Sequence, residues 1–228
     1  MATVPAVLTG EQRVLLSEVS WEAYEAFLKC WAERPVRLTY DDGNLEIMSP
    51  LLSHEQYGAL LRRMIETYTV EQNVPVYSGG ATTFRRQAKK RGLEPDACYW
   101  IQNERRMRGQ KEFDPERDPP PDLAIEVDIT SSSLDRMGIY ASLGIPEVWR
   151  CDGETLTVQL LQPDGTYAPA PRSAALPGLP PGEVLRFLRL SDEKDETSLI
   201  RSFRAWVRKQ PRARGKPAAK KPRRAPKK

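Results

Sequence analysis

The sequence predicts an α/β protein built around one mixed sheet. Apolar residues recur at three- and four-residue steps in several segments, which indicates amphipathic helices. Between these segments lie short apolar runs bounded by Gly, Pro, Asn and Asp, a pattern typical of strands and their turns. Helical and strand segments interleave along the chain, and this order favours a sheet covered by helices.

The first half of the chain is predicted to contain two helices that flank a β-hairpin. After a short polar lead, the helix within residues 14–31 has one apolar face, formed by Trp21, Tyr24, Phe27, Leu28 and Trp31. The hairpin covers residues 37–48, because Asp42-Gly43 suits the positive φ of a tight turn. The second helix begins near Ser53, where Ser53 and Gln56 match a capping box, and its apolar stripe extends to Tyr68.

Strands and loops are predicted to alternate through the middle of the chain. Residues 74–77 and 81–84 are candidate strands around Gly79-Gly80, and residues 95–101 form another. The charged, proline-rich stretch at 103–121 indicates an exposed loop. The following predictions are a strand at 121–129, a helix at 131–143 that ends at Gly144, and a strand at 147–151.

The last part of the chain is predicted to hold a second hairpin and a final helix. The hairpin surrounds Pro163-Asp164-Gly165, and a Pro/Gly-rich connection at 174–183 leads to an apolar patch at 184–190. An amphipathic helix covers 197–208. We therefore divide the chain into a lead (1–17), one domain (18–190), a C-terminal helical segment (191–210) and a disordered tail (211–228).

Positive charge is concentrated in the tail. The 228 residues have a net charge of +4, but residues 211–228 carry nine cations and no acid, so the first 210 residues have a net charge of −5. A basic, low-complexity run of this kind is typical of nucleic-acid-binding arms and predicts salt-sensitive, sequence-independent affinity. Its cations are Arg212, Arg214, Lys216, Lys220, Lys221, Arg223, Arg224, Lys227 and Lys228. The alternative is a solubilising extension.

Composition excludes several classes of protein. No run approaches the ~18 apolar residues of a membrane helix, and the N-terminus lacks the features of a secretory signal. The three cysteines form no CxxC pair, which excludes a zinc ribbon and predicts reduced thiols in a cytoplasmic protein. With His54 as the single histidine, a His-rich metal site is also excluded.

Two acids lie within predicted strands. Asp96 follows Pro95 at the start of one strand, and Glu126 lies between Ile125 and Val127 in another. An acid in such a strand must be paired or bound to a cation, because an isolated buried charge is strongly unfavourable. If the two strands are neighbours, both acids can bind one Mg²⁺ or Mn²⁺, which activates water for hydrolysis. The alternative is a pair of structural acids bonded to nearby arginines.

Five short segments together resemble one family of enzymes. The chain, from about residue 18 to about 165, is similar to the PD-(D/E)XK nuclease superfamily and, more narrowly, to its putative restriction endonuclease family. The matching pieces, in order, are Asp42–Pro50, His54, Glu94–Asp96, Pro121–Val127 and Tyr140–Trp149. The resemblance implies a restriction-endonuclease-like mixed sheet flanked by helices, here with an added hairpin and a C-terminal helix.

The resemblance also implies roles for individual residues. The superfamily's two metal-binding acids fall on Asp96 and Glu126, while Asp128 occupies the usual lysine position. In the narrower family the lysine lies four residues before a tyrosine, and here that residue is Arg136, before Tyr140. Arginine cannot act as a base near neutral pH but can hold a phosphate. The resemblance also places His54 and Glu46 near this site, and these two residues and Asp128 are the secondary candidates.

These observations predict a Mg²⁺- or Mn²⁺-dependent endonuclease that hydrolyses DNA. The alternatives are a catalytically weakened nucleic-acid-binding protein of the same fold, and an interaction module whose acids are locked in ion pairs. The arginine at position 136 discriminates only partly between the endonuclease and the first alternative, and we prefer the endonuclease. A homodimer is expected if the enzyme cuts both strands, because two nicks need two sites.

Overall fold

The computed structural model describes residues 12–32, 34–130 and 132–212. Within them the predicted α/β class is confirmed. The strands are β1 (Gln12–Leu16), β2 (Arg37–Asp41), β3 (Asn44–Ser49), β4 (Tyr77–Gly80), β5 (Phe84–Arg86), β6 (Arg91–Leu93), β7 (Ala97–Trp100), β8 (Leu123–Val127), β9 (Glu147–Cys151), β10 (Leu156–Leu161) and β11 (Tyr167–Ala170). The α-helices are α1 (Trp21–Cys30), α2 (Leu52–Gln72), α3 (Glu104–Met107), α4 (Arg136–Leu143), α5 (Pro181–Leu188) and α6 (Glu196–Arg208).

The described strands form two sheets, whereas the sequence pattern predicts one. The first is antiparallel, with the order β1-β3-β2-β6-β5. The second has the order β11-β10-β9-β8-β7-β4, and only its β8–β9 pair is parallel. A pattern of alternation within each strand carries no information about which strands pair, so it could not separate the two sheets.

Strand β8 lies at the centre of the second sheet and is buried on both faces. Its odd-numbered side chains pack against the apolar stripe of α2 and against α5 and α6. Ala124, on the other face, joins a cluster with Ile139 and Tyr140 of α4. The alternation predicted along this strand is therefore confirmed. Any charged side chain on β8 is held in a low-dielectric layer.

Local chemistry explains where the elements of the first sheet begin and turn. Ser20 caps α1 by accepting a hydrogen bond from the N–H of Ala23. Asp42 and Gly43 both have positive φ, at 40° and 92°, as a two-residue hairpin turn requires. The helix α1 covers one face of this sheet, where Tyr24 stacks on Tyr40.

Several local expectations are wrong. Residues 12–16, placed in the lead, form β1, which pairs with β3. Helix α2 has no side-chain cap, since its N-cap is Leu51 rather than Ser53. Gly79 and Gly80 lie in β4 instead of a turn, and at Gly79 the side chains of Cys98 and Trp100 pack where a side chain would stand.

Two short helices also differ from the expected loops. The apolar patch and its connection form α5, with Pro181 at the first turn, where a missing N–H is tolerated. The stretch expected as a loop at 103–121 contains α3, whose Met107 is buried. Among the described residues, no helix combines the length and apolar character needed to cross a bilayer.

Candidate active site

Asp96 directly precedes β7, and Glu126 lies on the paired strand β8. The N–H of Asp96 donates to the carbonyl of Ile125 (3.0 Å), and Asp96 Oδ2 accepts from the N–H of Val127 (2.7 Å), so Asp96 bonds the β8 backbone on both sides of Glu126. The two residues are only 7% and 5% exposed. We call these two side chains the carboxylate pair. Two like charges in a buried layer require compensation by cations or protons.

Arg136 supplies positive charge directly to Glu126. Its Nη2 donates to Glu126 Oε2 (2.8 Å), and its Nε forms an ion pair with Oε1. The same guanidinium donates to the carbonyl of Glu94 (3.0 Å) and to the hydroxyl of Thr39 in the first sheet. Arg136 is the first residue of α4, and it joins both sheets at the carboxylate pair.

A tyrosine completes the surroundings of Glu126. The hydroxyl of Tyr140, one turn beyond Arg136 on α4, donates to Glu126 Oε2 (2.5 Å). Burial raises the pKa of Glu126 above its ordinary value; the charge of Asp96 adds to this rise, and Arg136 and Tyr140 only partly offset it. Burial, together with the charge of Glu126, also raises the pKa of Tyr140 well above its usual range. Glu126 is therefore a carboxylate that a nearby cation stabilises strongly.

Asp96 has different partners. His54 lies in the first turn of α2, and its Nε2 is 2.9 Å from Asp96 Oδ1; Arg37 Nη2 of β2 is 3.5 Å from the same atom. Burial opposes ionisation of Asp96, but His54, the N–H of Val127 and Arg37 outweigh it and lower the pKa of Asp96. The two carboxylates thus have pKa values shifted in opposite directions. His54 is 1% exposed and belongs to the site, rather than to the solvent-facing start of a helix.

Glu46 lies beside the site and supports it from the first sheet. It is 1% exposed and accepts hydrogen bonds from Arg13 (2.7 Å), the hydroxyl of Ser132 (2.8 Å) and the N–H of Ser133 (2.6 Å). Ser132 and Ser133 belong to the connection that leads from β8 into α4. Glu46 therefore fixes the position of the β8–α4 connection, which leads directly to Arg136.

Glu46→Gln is expected to lower the free energy of unfolding by about 1.5–3 kcal/mol at pH 7, because hydrogen bonds to a charged acceptor are lost. Burial would raise the pKa of Glu46, but Ser133, Ser132 and Arg13 together lower it. Its stabilising contribution is therefore present above the unfolded pKa and is lost as the pH falls through the folded pKa. Urea unfolding at several pH values measures the difference between the two proteins. A difference that stays constant into acid would contradict this role.

The other candidates from the sequence are Asp128 and the tail cations. Asp128, at the usual lysine position, pairs with Arg150, and both border the cavity described below. Asp122 accepts hydrogen bonds from the N–H groups of Ile101 (2.6 Å) and Asn103 (3.1 Å), so it holds the turn after β7. Arg212 is exposed, and the other eight tail cations lie outside the described residues.

Sequence reasoning missed three contributors to the site, namely Arg37, Thr39 and the carbonyl of Glu94. Arg37 and Thr39 are on β2, in the other sheet, and reach the carboxylate pair only through tertiary packing. Arg37 occupies an ordinary polar position at the start of a hairpin strand, so the sequence contains no signal for its role. Glu94 belongs to a recognised motif, but its contact is made by a backbone atom.

A cavity of about 160 Å³ opens beside Glu126 and Arg136. Asp128, Ser132 and Arg150 contribute to its walls. Within the described parts of the chain, no group of three or more His, Cys, Asp and Glu side chains has the arrangement of a metal site. The cavity gives a small ligand access to Glu126 and Arg136.

Comparison with known proteins identifies the family. The profile of the Uma2 family, described as putative restriction endonuclease, matches residues 21–191. The chain belongs to this family. The match includes the carboxylate pair, His54 and Arg136, and extends beyond the segment expected from the five motifs. The basic tail lies outside it.

Other comparisons of this Uma2 protein are more distant. A solved structure, a putative nuclease of the DUF820 group from Anabaena variabilis ATCC 29413, has 15% sequence identity and a TM-score of 0.41. That match covers 75% of this chain and 90% of the other. A search of curated proteins finds no significant match.

Restriction-endonuclease-like families generally use divalent metals, and the donor set of this Uma2 protein fits one. Two carboxylates are sufficient for Mg²⁺, which keeps several waters and also binds substrate phosphate. Burial, with a smaller contribution from the charge of Asp96, raises the pKa of Glu126, and a bound cation would oppose both effects. Arg136 now supplies that charge, so an incoming ion must compete with its guanidinium for the oxygens of Glu126.

Proposed function

We propose that this protein is a divalent-metal-dependent endonuclease that hydrolyses DNA phosphodiester bonds. The observation that carries the proposal is the proximity of two buried carboxylates: Asp96, which directly precedes β7, and Glu126 on the paired strand β8, with an open cavity beside Glu126. Asp96 and Glu126 would hold Mg²⁺ or Mn²⁺. The bound ion would supply an activated water and neutralise charge on the phosphate.

The side chains around the pair have distinct tasks in this proposal. Arg136 remains protonated at all relevant pH values, so it cannot remove a proton from water. Its fork of N–H donors suits phosphate oxygens, and it would stabilise the negative charge that develops there. Tyr140 orients Glu126, while His54 and Arg37 orient Asp96.

The nucleic-acid contacts of the proposal include the tail. Nine cations within residues 211–228 would bind phosphates without reading sequence, and this compensates for the net negative charge of the preceding residues. A homodimer would place two sites on one duplex for cleavage of both strands. Sedimentation with and without DNA measures the oligomeric state.

A second candidate is a DNA-binding protein of the same fold that does not cleave. The ion pair of Arg136 with Glu126 favours it, since both oxygens of that carboxylate already have cationic or hydroxyl donors. Arg37 and Arg136 together balance the charge of the carboxylate pair. In this candidate the guanidinium replaces the metal ion permanently.

Calorimetric titration of Mn²⁺ into the full-length protein separates the two candidates. We expect saturable binding in the wild type and none in Asp96→Asn/Glu126→Gln, because the amides keep the shape of the site and remove its charge. Asp192→Asn/Glu193→Gln is the matched control, with the same change in charge on exposed side chains. Equal heats in all three proteins, both alone and with a DNA oligonucleotide present, would reject the metal site and leave the binding protein.

A further inference from the structure

A second opening lies on the Asp96 side of the site. Its volume is about 500 Å³, and it is bordered by the end of α1, the α1–β2 connection, β2 and the β4–β5 region. We call it the basic cleft, after the four cations that line it: Lys29, Arg34, Arg37 and Arg85. It is separate from the cavity beside Glu126, with which it shares no lining residue.

The lining of the basic cleft is cationic although the body of the chain is acidic. Lys29 and Arg34 are exposed, and Arg85 is half-exposed with Glu25 at 4.0 Å. The acid that the structure describes in the lining is Glu94, which accepts a hydrogen bond from Thr83 (2.7 Å). Glu33, within the α1–β2 connection, lies outside the described residues. A concave cationic lining concentrates anionic ligands.

An aromatic surface is available in the same cleft. Trp31 lines it and is partly exposed, and its indole is braced edge-on by Phe27, with ring centroids 5.1 Å apart. Proteins that bind single-stranded nucleic acid combine cations for the backbone with aromatic side chains on which bases stack. A base-paired helix keeps its bases stacked inside, so this combination favours unpaired nucleotides.

Arg37 and Glu94 connect the lining of the basic cleft to the carboxylate pair. Arg37 lines the cleft and also lies 3.5 Å from Asp96 Oδ1. Glu94 lines it too, and the carbonyl of Glu94 accepts a hydrogen bond from Arg136 (3.0 Å). A volume of about 500 Å³ is in the range of small-ligand sites, so the cleft admits a nucleotide.

We propose that the basic cleft binds an unpaired nucleotide next to the scissile phosphate, with the base on Trp31 and its phosphates on Lys29 and Arg34. The substrate is then a nucleic acid with a single-stranded segment, such as a flap, a gap or a free strand. The assignment of the scissile phosphate rests on the proposed function, whereas the binding of an unpaired strand does not.

Fluorescence anisotropy in EDTA tests the binding without cleavage. The probes are a labelled oligothymidylate and a labelled blunt duplex, with the full-length protein in the same buffer. We expect Lys29→Gln/Arg34→Gln to raise the Kd for the single strand about 10-fold and to change the Kd for the duplex less than twofold. Arg172→Gln/Lys194→Gln, on exposed positions away from the cleft, is the control for loss of two charges and should change neither value.

A second pair of variants separates stacking from structure. Trp31→Leu should weaken single-strand binding about fivefold or more, and Trp31→Phe should restore most of it, because phenylalanine still offers a stacking face. The proposal would be overturned if the variants weakened the binding of both probes equally, or if no variant weakened the binding of the single strand. Binding would then be attributed to the tail. Because EDTA removes metal, this result is independent of the Mn²⁺ titration, and either proposal can fail alone.

Discussion

Replacing Arg136 by methionine is expected to lower the free energy of unfolding by about 3–5 kcal/mol at pH 7. The guanidinium is 10% exposed and pairs with a carboxylate that is almost completely buried. Methionine fills a similar volume but leaves Glu126 with Tyr140 as its remaining hydrogen-bond donor in the structure. The large effect comes from an uncompensated charge rather than from a cavity. Urea unfolding followed by circular dichroism measures it.

A double-mutant cycle isolates the ion pair. Glu126→Gln/Arg136→Met should recover most of the lost stability, because neither charge then remains buried alone. Arg150→Met is the control: its side chain is 42% exposed and pairs with Asp128, so we expect a loss below about 1 kcal/mol. Similar losses for Arg136→Met and Arg150→Met would show that the buried pair does not carry the effect.

The stability lost in Arg136→Met is expected to depend on pH in a defined direction. Burial raises the pKa of Glu126 in the wild type, and removal of Arg136 should raise it further. A carboxyl whose folded pKa is above its unfolded pKa binds a proton more readily in the folded state, so its destabilising effect decreases as the pH falls. The stability difference between wild type and Arg136→Met should therefore shrink in acid.

Glu126→Gln is expected to reduce metal-dependent DNA cleavage by at least about 10²–10³-fold. Glutamine retains the size of the side chain and an acceptor for Arg136 and Tyr140, but it lacks the charge that holds a divalent ion. Single-turnover cleavage of supercoiled plasmid and of a flap oligonucleotide, with Mn²⁺ or Mg²⁺, measures the rate. DNA affinity in EDTA should stay within twofold of the wild type, since the tail cations are unchanged.

The matched control for this loss is Glu104→Gln. Glu104 is also buried, at 6% exposure, but it pairs with Arg108 of its own helical turn and does not border the cavity. Its variant should cleave at nearly the wild-type rate. If Glu126→Gln cleaves as fast as the wild type, the assignment of the metal-binding carboxylate is wrong, whatever the outcome for stability.

Local elements of the fold were predictable, and their assembly was not. The hairpin at Asp42-Gly43 and the stripe of α2 were read correctly, because positive φ and helical periodicity are properties of neighbouring residues. The division into two sheets depends on pairing between strands far apart in sequence. The absent cap at Ser53 shows that a sequence can match a capping motif without using it, because α2 begins one residue earlier, at Leu52.

The site residues were likewise predictable where the signal is local in sequence, and not where it depends on contacts between the two sheets. Position within strands singled out Asp96 and Glu126, and resemblance added Arg136 and His54. Physical reasoning on the strands also named the competing arrangement, acids bonded to arginines, and the structure contains such pairs. Arg37 and Thr39 were not found, because their contacts cross from one sheet to the other.

The contacts of Arg136 also determine when the site can form during folding. Its guanidinium meets Thr39, 97 positions earlier in the chain, and the Ser133 N–H of the preceding connection meets Glu46 across 87 positions. Contacts of such high sequence separation form after local elements, because the entropy of closing long loops must first be overcome. The two acids of a nascent chain would therefore be synthesised before the site is complete. The proposed DNA cleavage would begin only after the two sheets have packed together.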